Sequence, residues 1–385
     1  MRIAYVTGYD PNDVKNWSGL GVFIWKALAA RGIEVELIGP MPLPAHLRKL
    51  NYLKWRYHRY VSRKFYWVEG DLTNIRALSR EAGRRLQKIK PVEAVFSPTI
   101  LPTAFLPGDL PLVSYSDSTL RVLYDTYPVH ANMAAVNYRH AKEIELNAHR
   151  RASALVYASD WAAESARKDY AADPSKIHVV PFGANLETTP TRREVEQFIA
   201  ARDRRQVRLL FLGVDWHRKG GPLALAVTRQ LNQLGILAHL TVIGCSPQIE
   251  LADQKIVTQF GFVKKDAAGQ AKIQAELSRS HFLIVPSVAE CFGIVYCEAS
   301  AFGVPSIARN VGGVASAVRN GRNGQLFEMN DSAGQIADWI AGTFRNFEDY
   351  RLLALSAQAE FENHLNWQVA GEKLENILRH VIAKK

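Results

Sequence analysis

Cysteine is scarce in this chain. Cys245, Cys291 and Cys297 are the only three among 385 residues. They are too few, and odd in number, for the disulfide framework of a small secreted domain, and such usage belongs to a reducing cytoplasm. No long apolar run is free of charge either. The most hydrophobic stretch, residues 282–308, carries Glu290 and Glu298 together with Pro286 and Pro305. A carboxylate at mid-bilayer depth costs on the order of 2–3 kcal/mol, which excludes a spanning helix there. The opening MRIAYVTGYD reaches Asp10 too soon for the apolar core of an export signal and reads as a strand. The D-x-D pair, a short carboxylate motif that holds metal–diphosphates, is absent. Short repeats and low-complexity tracts are absent too, and 48% hydrophobic with 22% charged residues excludes global disorder.

What is present is a rhythm. Short apolar runs ended by Gly, Pro, Ser or Asp recur at 2–8, 34–40, 94–98, 111–117, 154–159 and 177–183. They resume at 208–214, 239–244, 256–263, 281–287 and 305–311. Runs of this kind suit parallel strands buried on both faces, and the intervening segments (220–234, 265–280, 291–303) are long enough for crossover helices. The fold class is therefore α/β, with two Rossmann-like doubly wound domains facing across a cleft. The polar segment 187–206 interrupts the rhythm before a fresh strand and marks the boundary. This places the domains at 1–190 and 191–366. Residues 331–385 carry no strand pattern and read as consecutive helices, the last from 367 onward. Ligands of open parallel sheets bind beyond the strand carboxyl ends, so the layout favours a two-substrate enzyme or a bilobal binding protein.

Three segments carry chemistry. In AECFGIVYCEA (289–299), Glu290 and Glu298 lie eight apart around Phe292-Gly293-Ile294, in a stretch otherwise without charge. A helix beginning near Gly293 offers free N–H groups to an anion. Glu298, in its second turn, can accept two hydrogen bonds from a diol, and Glu290 can reach hydroxyls of a group beside the phosphate. In FLGVDWHRKGGPLALAV (211–227) a strand ends at Gly213 and a helix opens around Gly220-Gly221-Pro222. His217, Arg218 and Lys219 stand between them, where cations neutralise a diphosphate leaving group without a metal. In NWSGLGVFIWKAL (16–28), Gly19 and Gly21 allow close backbone approach where the first helix opens, which is either a binding loop or an ordinary helix start.

The segments 285–314 and 213–221 resemble the donor-binding signatures of family 4 retaining glycosyltransferases with the GT-B fold, and 157–187 is similar to the stretch closing the N-terminal domain in that family. The likeness spans most of the chain, is most specific at the E-x7-E pair and is weakest over 41–110. It implies a nucleotide-sugar donor on the C-terminal domain and a glycan or lipid-linked acceptor on the N-terminal one, with no cofactor and no metal. By position, Glu298 would bind the ribose diol, Glu290 the transferred sugar, and Lys219 with Arg218 the diphosphate. Gly293 and Ile294 would offer backbone N–H groups, Phe262 and Val263 would lie beside the base, and Gly19 would touch donor phosphate or acceptor across the cleft. The last helix would cross back to the N-terminal domain. Two positions depart from the pattern. Val214 stands where many relatives have arginine, and Asp117 is the nearest polar residue where many have a cleft histidine. Asp117 could take the acceptor proton, orient the hydroxyl, or simply cap a helix.

Charge adds a second theme. The formal net charge is +11, so an anionic partner is expected. Residues 46–67 hold seven cations (Arg48, Lys49, Lys54, Arg56, Arg59, Arg63, Lys64), no acid, and seven aromatic rings that include Trp55. Such a stretch either buries its rings and exposes its charges, or meets an anionic bilayer or a soluble polyanion. No nucleic-acid motif accompanies it. The expectation is a cytoplasmic enzyme, peripheral on the membrane, moving a sugar to a glycan precursor. The alternatives are an epimerase or phosphorylase of the same fold and a non-catalytic nucleotide-sugar-binding protein.

Overall fold

The computed structural model describes residues 1–264 and 266–384. The chain forms two compact units: Met1–Pro181 together with Trp367–Lys385, and Phe182–Asn366.

In the first unit, strands β1 (Arg2–Val6), β2 (Glu34–Ile38), β3 (Ala94–Ser97), β4 (Leu112–Ser116), β5 (Ala154–Tyr157) and β6 (Ile177–Val179) alternate with helices. These helices are α1 (Leu20–Ala30), α2 (Ala45–Tyr60), α3 (Leu72–Leu86), α4 (Leu120–Thr126), α5 (Ala135–Arg151) and α6 (Asp160–Tyr170). All strand pairs are parallel, in the order β2-β1-β3-β4-β5-β6. The order reverses between β1 and β3. Buried rings brace these central strands. Tyr5 stacks on Phe96 at 5.8 Å, Phe96 meets Tyr115 edge-on at 6.5 Å, and the Tyr5 hydroxyl donates to the Gly21 carbonyl at 2.7 Å. On one face, Ala82 of α3 packs among Ala4, Val6, Val95 and Leu112.

The second unit contains α7 (Arg192–Ala201), β7 (Val207–Leu212), α8 (Gly221–Gln233), β8 (Ala238–Ile243), β9 (Val257–Gln259), α9 (Ala267–Arg279) and β10 (Phe282–Ile284). It continues through α10 (Ile294–Ala301), β11 (Ser306–Arg309), β12 (Gly324–Phe327), α11 (Ala333–Arg345) and α12 (Phe347–Asn363). Its sheet is again wholly parallel, ordered β12-β11-β10-β7-β8-β9, with the reversal between β7 and β10. Strand β12 falls outside the apolar runs of the sequence. It is a four-residue edge strand, GQLF, that follows a polar turn and needs burial on few positions. Arg202 clasps the unit from inside: it donates to the carbonyls of Phe302 and Gly303 at 2.9 and 2.7 Å and to the Tyr350 hydroxyl at 2.6 Å.

The chain enters the second unit at Phe182, so residues 182–190, read from sequence as the end of the first domain, pack with the second. Phe182 meets Phe292 edge-on at 5.3 Å, and the Ala184 N–H donates to the Leu365 carbonyl at 3.1 Å. Helix α13 (Trp367–Ala383) belongs with the first unit and packs on α1. Trp367 stacks on Phe23 at 6.4 Å, and Arg31 pairs with Glu375 at 2.8 Å.

Helix α2 is patterned inside out. The positions turned toward the domain are Leu47, Asn51, Lys54 and His58, spaced as one helical stripe. Three of the four are polar, and each has a specific partner. Asn51 donates to Asn74 Oδ1 at 3.0 Å, Lys54 pairs with buried Asp71 at 2.9 Å, and His58 stacks on Tyr66 at 4.9 Å. Burial alone would raise the Asp71 pKa, but hydrogen bonds from Tyr66 and Lys54 outweigh it and hold the carboxyl below its ordinary value. Asp71 also caps α3 through the Thr73 N–H at 2.9 Å. Leu50, Tyr52, Leu53, Trp55, Tyr57 and Tyr60 are exposed. The alternative in which this stretch buries its rings therefore fails for the helix and holds only for Phe65, Tyr66 and Trp67 beyond it, which pack on the domain, and Lys54 leaves the exposed cationic face because Asp71 neutralises it.

His281, just before β10, is fully buried; its Nδ1 accepts the Arg208 N–H at 3.0 Å. Burial, then the charge of Arg202, push its pKa from 6.5 to about 3. The unfolded chain then binds one more proton than the native state between these limits, so this contribution is complete above pH 6.5 and is lost as pH falls toward 3. Unfolding free energies of wild type should decline with acidification by up to about 1.4 kcal/mol per pH unit more steeply than those of His281→Gln. Parallel acid limbs in urea titrations would contradict this.

Candidate functional site

The strand-order reversal in the second unit lies between β7 and β10, the position where open parallel sheets bind ligands beyond their carboxyl ends. Two loops leave the sheet there, 213–220 after β7 and 285–293 after β10. They are joined at three points. The Val288 N–H donates to the Arg218 carbonyl at 2.8 Å, the Arg218 guanidinium donates to the Ala289 carbonyl at 3.0 Å, and the Lys219 ammonium donates to the Glu290 carboxylate. Arg218 Nη1 also stands 3.9 Å from Glu290 Oε2, and its Nε stands 3.6 Å from Asp215. Lys219 and Glu290 are only 12% and 10% exposed, so their attraction is little screened by solvent.

The backbone explains why the loops come so close. Gly220 is left-handed, and a Cβ there would sit 2.0 Å from the Pro286 carbonyl oxygen. Gly213 lies under the Lys219 stem. Gly293 caps α10 in the left-handed region, where a Cβ would strike the Tyr296 ring at 2.3 Å. The Tyr296 hydroxyl in turn donates to the Val285 carbonyl at 2.7 Å, fixing α10 to the loop it follows. Glu298 is buried in the second turn of α10, and Ile294 opens that helix. Phe292 is buried, with its ring against Phe182. Cys297 is fully buried, and burial pushes its thiol pKa well up.

Thus Arg218, Lys219 and Glu290 come into contact, with Glu298, Gly293 and Ile294 on the adjoining helix. Phe262 and Val263 follow β9, two strands from the reversal, and Phe262 is 71% exposed. Val214 is exposed too, whereas Arg218 sits among the charged groups. Tyr296 and Asp215 enter the site without having been legible as site residues, because an aromatic and a loop acid carry no distinguishing spacing.

In the first unit, Trp17, Ser18 and Gly19 are all left-handed before α1 begins. Non-glycine residues held so cost on the order of 1–2 kcal/mol each and concentrate at functional loops. The Trp17 indole donates to Asp117 Oδ2 at 3.2 Å, tying this loop to the end of β4. Gly19 and Asp117 are thereby linked through a tryptophan that the sequence did not single out. Among the described residues, no group of three or more His, Cys, Asp or Glu side chains gathers as a metal cluster would.

Two doubly wound α/β units, the second with charged groups converging on its strand-order switch, define the fold class and the candidate site. A family model described as Glycosyltransferase Family 4 matches residues 24–188, and one described as Glycosyl transferases group 1 matches 206–346. The chain belongs to the family 4, group 1 glycosyltransferases. Among similar proteins is the D-inositol 3-phosphate glycosyltransferase of Rhodococcus opacus, 31% identical over 223 residues, covering 54% of this chain and 48% of that one. Another is D-inositol 3-phosphate glycosyltransferase 1 of Catenulispora acidiphila, 31% identical, covering 55% and 54%. The chain spans about half the length of these relatives. Over the full chain, the fold matches sucrose-phosphate synthase from Thermosynechococcus elongatus, with a TM-score of 0.66 and 17% identity, covering 100% and 99% of the two chains. It also matches Anabaena HepE in complex with UDP-glucose, with a TM-score of 0.62 and 15% identity, covering 99% and 100%. The fold class is that of GT-B glycosyltransferases.

Gly220→Ala should destabilise the second unit by about 2–4 kcal/mol, because a left-handed residue and a clash with backbone coincide. A thermal melt within a degree of wild type would show that the two loops are not held as described.

Proposed function

We propose that this protein is a retaining, metal-independent glycosyltransferase that moves a sugar from a nucleotide-sugar to a glycan or lipid-linked acceptor. The observation that carries the reading is the Lys219–Glu290 pair with Arg218 at the β7/β10 reversal. In the absence of donor, the ammonium and carboxylate satisfy each other, since either alone would be a costly buried charge. A diphosphate offers Lys219 and Arg218 a doubly charged partner and releases Glu290 to accept from sugar hydroxyls. Arg218 supplies the charge that Val214 lacks. Glu298 takes the ribose diol, the backbone N–H groups of Gly293 and Ile294 face the phosphate, and Phe262 and Val263 border the base.

In the transfer step, the bond from the anomeric carbon to the diphosphate oxygen breaks and the acceptor oxygen bonds on the same face. The acceptor proton passes to the leaving diphosphate. The protein contributes position and charge stabilisation rather than a nucleophile. Asp117, held by Trp17, orients the acceptor hydroxyl, and Gly19 lets backbone approach the phosphate or acceptor.

The inside-out helix α2 supports a peripheral position on an anionic bilayer, on its cytoplasmic face. Among the described residues, no helix is long and apolar enough to cross a membrane. Arg48, Lys49, Arg56, Arg59, Arg63 and Lys64 provide attraction of about 1 kcal/mol each near such a surface. Trp55 and the exposed tyrosines provide interfacial anchoring.

Screening UDP-, GDP-, ADP- and dTDP-sugars by thermal shift should reveal one that stabilises by about 2.7 kcal/mol at a hundred times its Kd. With that donor and an acceptor extract, nucleoside diphosphate release should fall at least about a hundredfold in Lys219→Ala, with donor binding retained in part. Glu298→Ala should instead raise the donor Kd. Wild-type rates in both variants would refute the site, and donor turnover without acceptor would indicate an epimerase. Co-sedimentation with phosphatidylglycerol vesicles should weaken as salt rises; its absence at low salt would refute the membrane position.

A further inference from the structure

The cationic end of α2 is more than a charged face. A pocket of about 260 Å³ opens there, lined by Trp55, Arg59, Arg63, Lys64, Tyr66 and Asn132. Its floor is held by specific bonds. The Lys64 N–H donates to the His58 carbonyl at 2.9 Å, and the Phe65 N–H donates to the Asn132 carbonyl at 2.8 Å. Asn132 then uses both ends of its amide, donating to the Arg63 carbonyl at 2.8 Å and accepting from the Lys64 ammonium at 2.7 Å. Arg63 is held left-handed within this loop, with φ 52°, a conformation that favours glycine. The fold thus keeps three cations around one concavity whose lining contains no carboxylate. The neighbouring acid, Asp71, is engaged by Lys54 and Tyr66, and among the described residues no carboxylate pairs with Arg59 or Arg63. Two planar guanidinium forks beside an ammonium match a phosphate monoester, which carries about −1.5 to −2 charge at neutral pH, better than a phosphodiester, which carries one. Trp55, 39% exposed at the rim and in edge contact with Tyr60, belongs with the surface aromatics of α2.

We propose that this pocket binds the phosphate monoester headgroup of a lipid while the exposed rings of α2 rest in the bilayer interface. The proposal rests on the membrane position argued above and adds a specificity to it. Binding to charge-matched vesicles of phosphatidate and of phosphatidylglycerol tests it. Wild type should prefer phosphatidate by about tenfold, and glycerol 3-phosphate should release it from phosphatidate vesicles only. Arg59→Gln/Arg63→Gln should abolish that preference. Arg48→Gln/Arg56→Gln, which removes the same charge from elsewhere on α2, should weaken both bindings and leave the ratio intact. Equal affinity of wild type for the two lipids, or an equal loss of preference in both double variants, would overturn the pocket while leaving the membrane position standing. Binding to neither vesicle would overturn both.

Discussion

A buried positive charge needs a partner, and in the second unit that requirement organises the site. Lys219 and Glu290 come from loops that follow different strands, 71 residues apart in the chain. Removing either member would strand the other in a poorly solvated place, a loss of several kcal/mol. The pair therefore works as a clamp on the geometry. It holds the β7 and β10 loops together where the sheet reverses, and Gly220, having no Cβ, lets the Pro286 carbonyl come close. Tyr296 then fixes α10 to the same loop, which sets Glu298 and the free helix N-terminus in relation to the charges.

The first unit places a comparable burden on Asp71. One carboxylate caps α3, receives Lys54 and the Tyr66 hydroxyl, and lies 3.7 Å from His140 Nδ1. With that anchor in place, α2 can attach to the domain by a stripe of polar side chains and leave its rings outside. A surface helix ordinarily does the reverse. Polar attachment is directional, so it fixes rotation about the helix axis more tightly than an apolar stripe of the same width.

The strand rhythm made both sheets legible, because strands buried on two faces must be nearly continuous in apolar residues. Edge strand β12 escaped because only two of its four residues, Leu326 and Phe327, are hydrophobic. Glu290 and Glu298 stood out for a complementary reason: charge inside an apolar stretch is expensive and needs a purpose. The orientation of α2 was not legible. The one stripe without Tyr, Trp or Phe is mostly polar and reads as a solvent face, and the decision lay with Asn51, Lys54 and His58, whose partners at 66–74 are remote in pattern though near in space. The left-handed turn at Trp17 and Ser18 had no signal either, since both residues usually adopt other conformations.

The discontinuity of the first unit also has a consequence in time. Helix α13, which covers part of α1, is made only after the whole of the second unit. While the chain emerges from the ribosome, Phe23 and Ala27 of α1 lack the helix that later packs over them, and Arg31 waits for its carboxylate. The inserted unit, continuous in sequence, can complete its own core earlier. Nascent chains at this stage present an unfinished apolar stripe, a natural point for chaperone engagement, and a translation stop ahead of residue 367 leaves the first half of the protein unsealed.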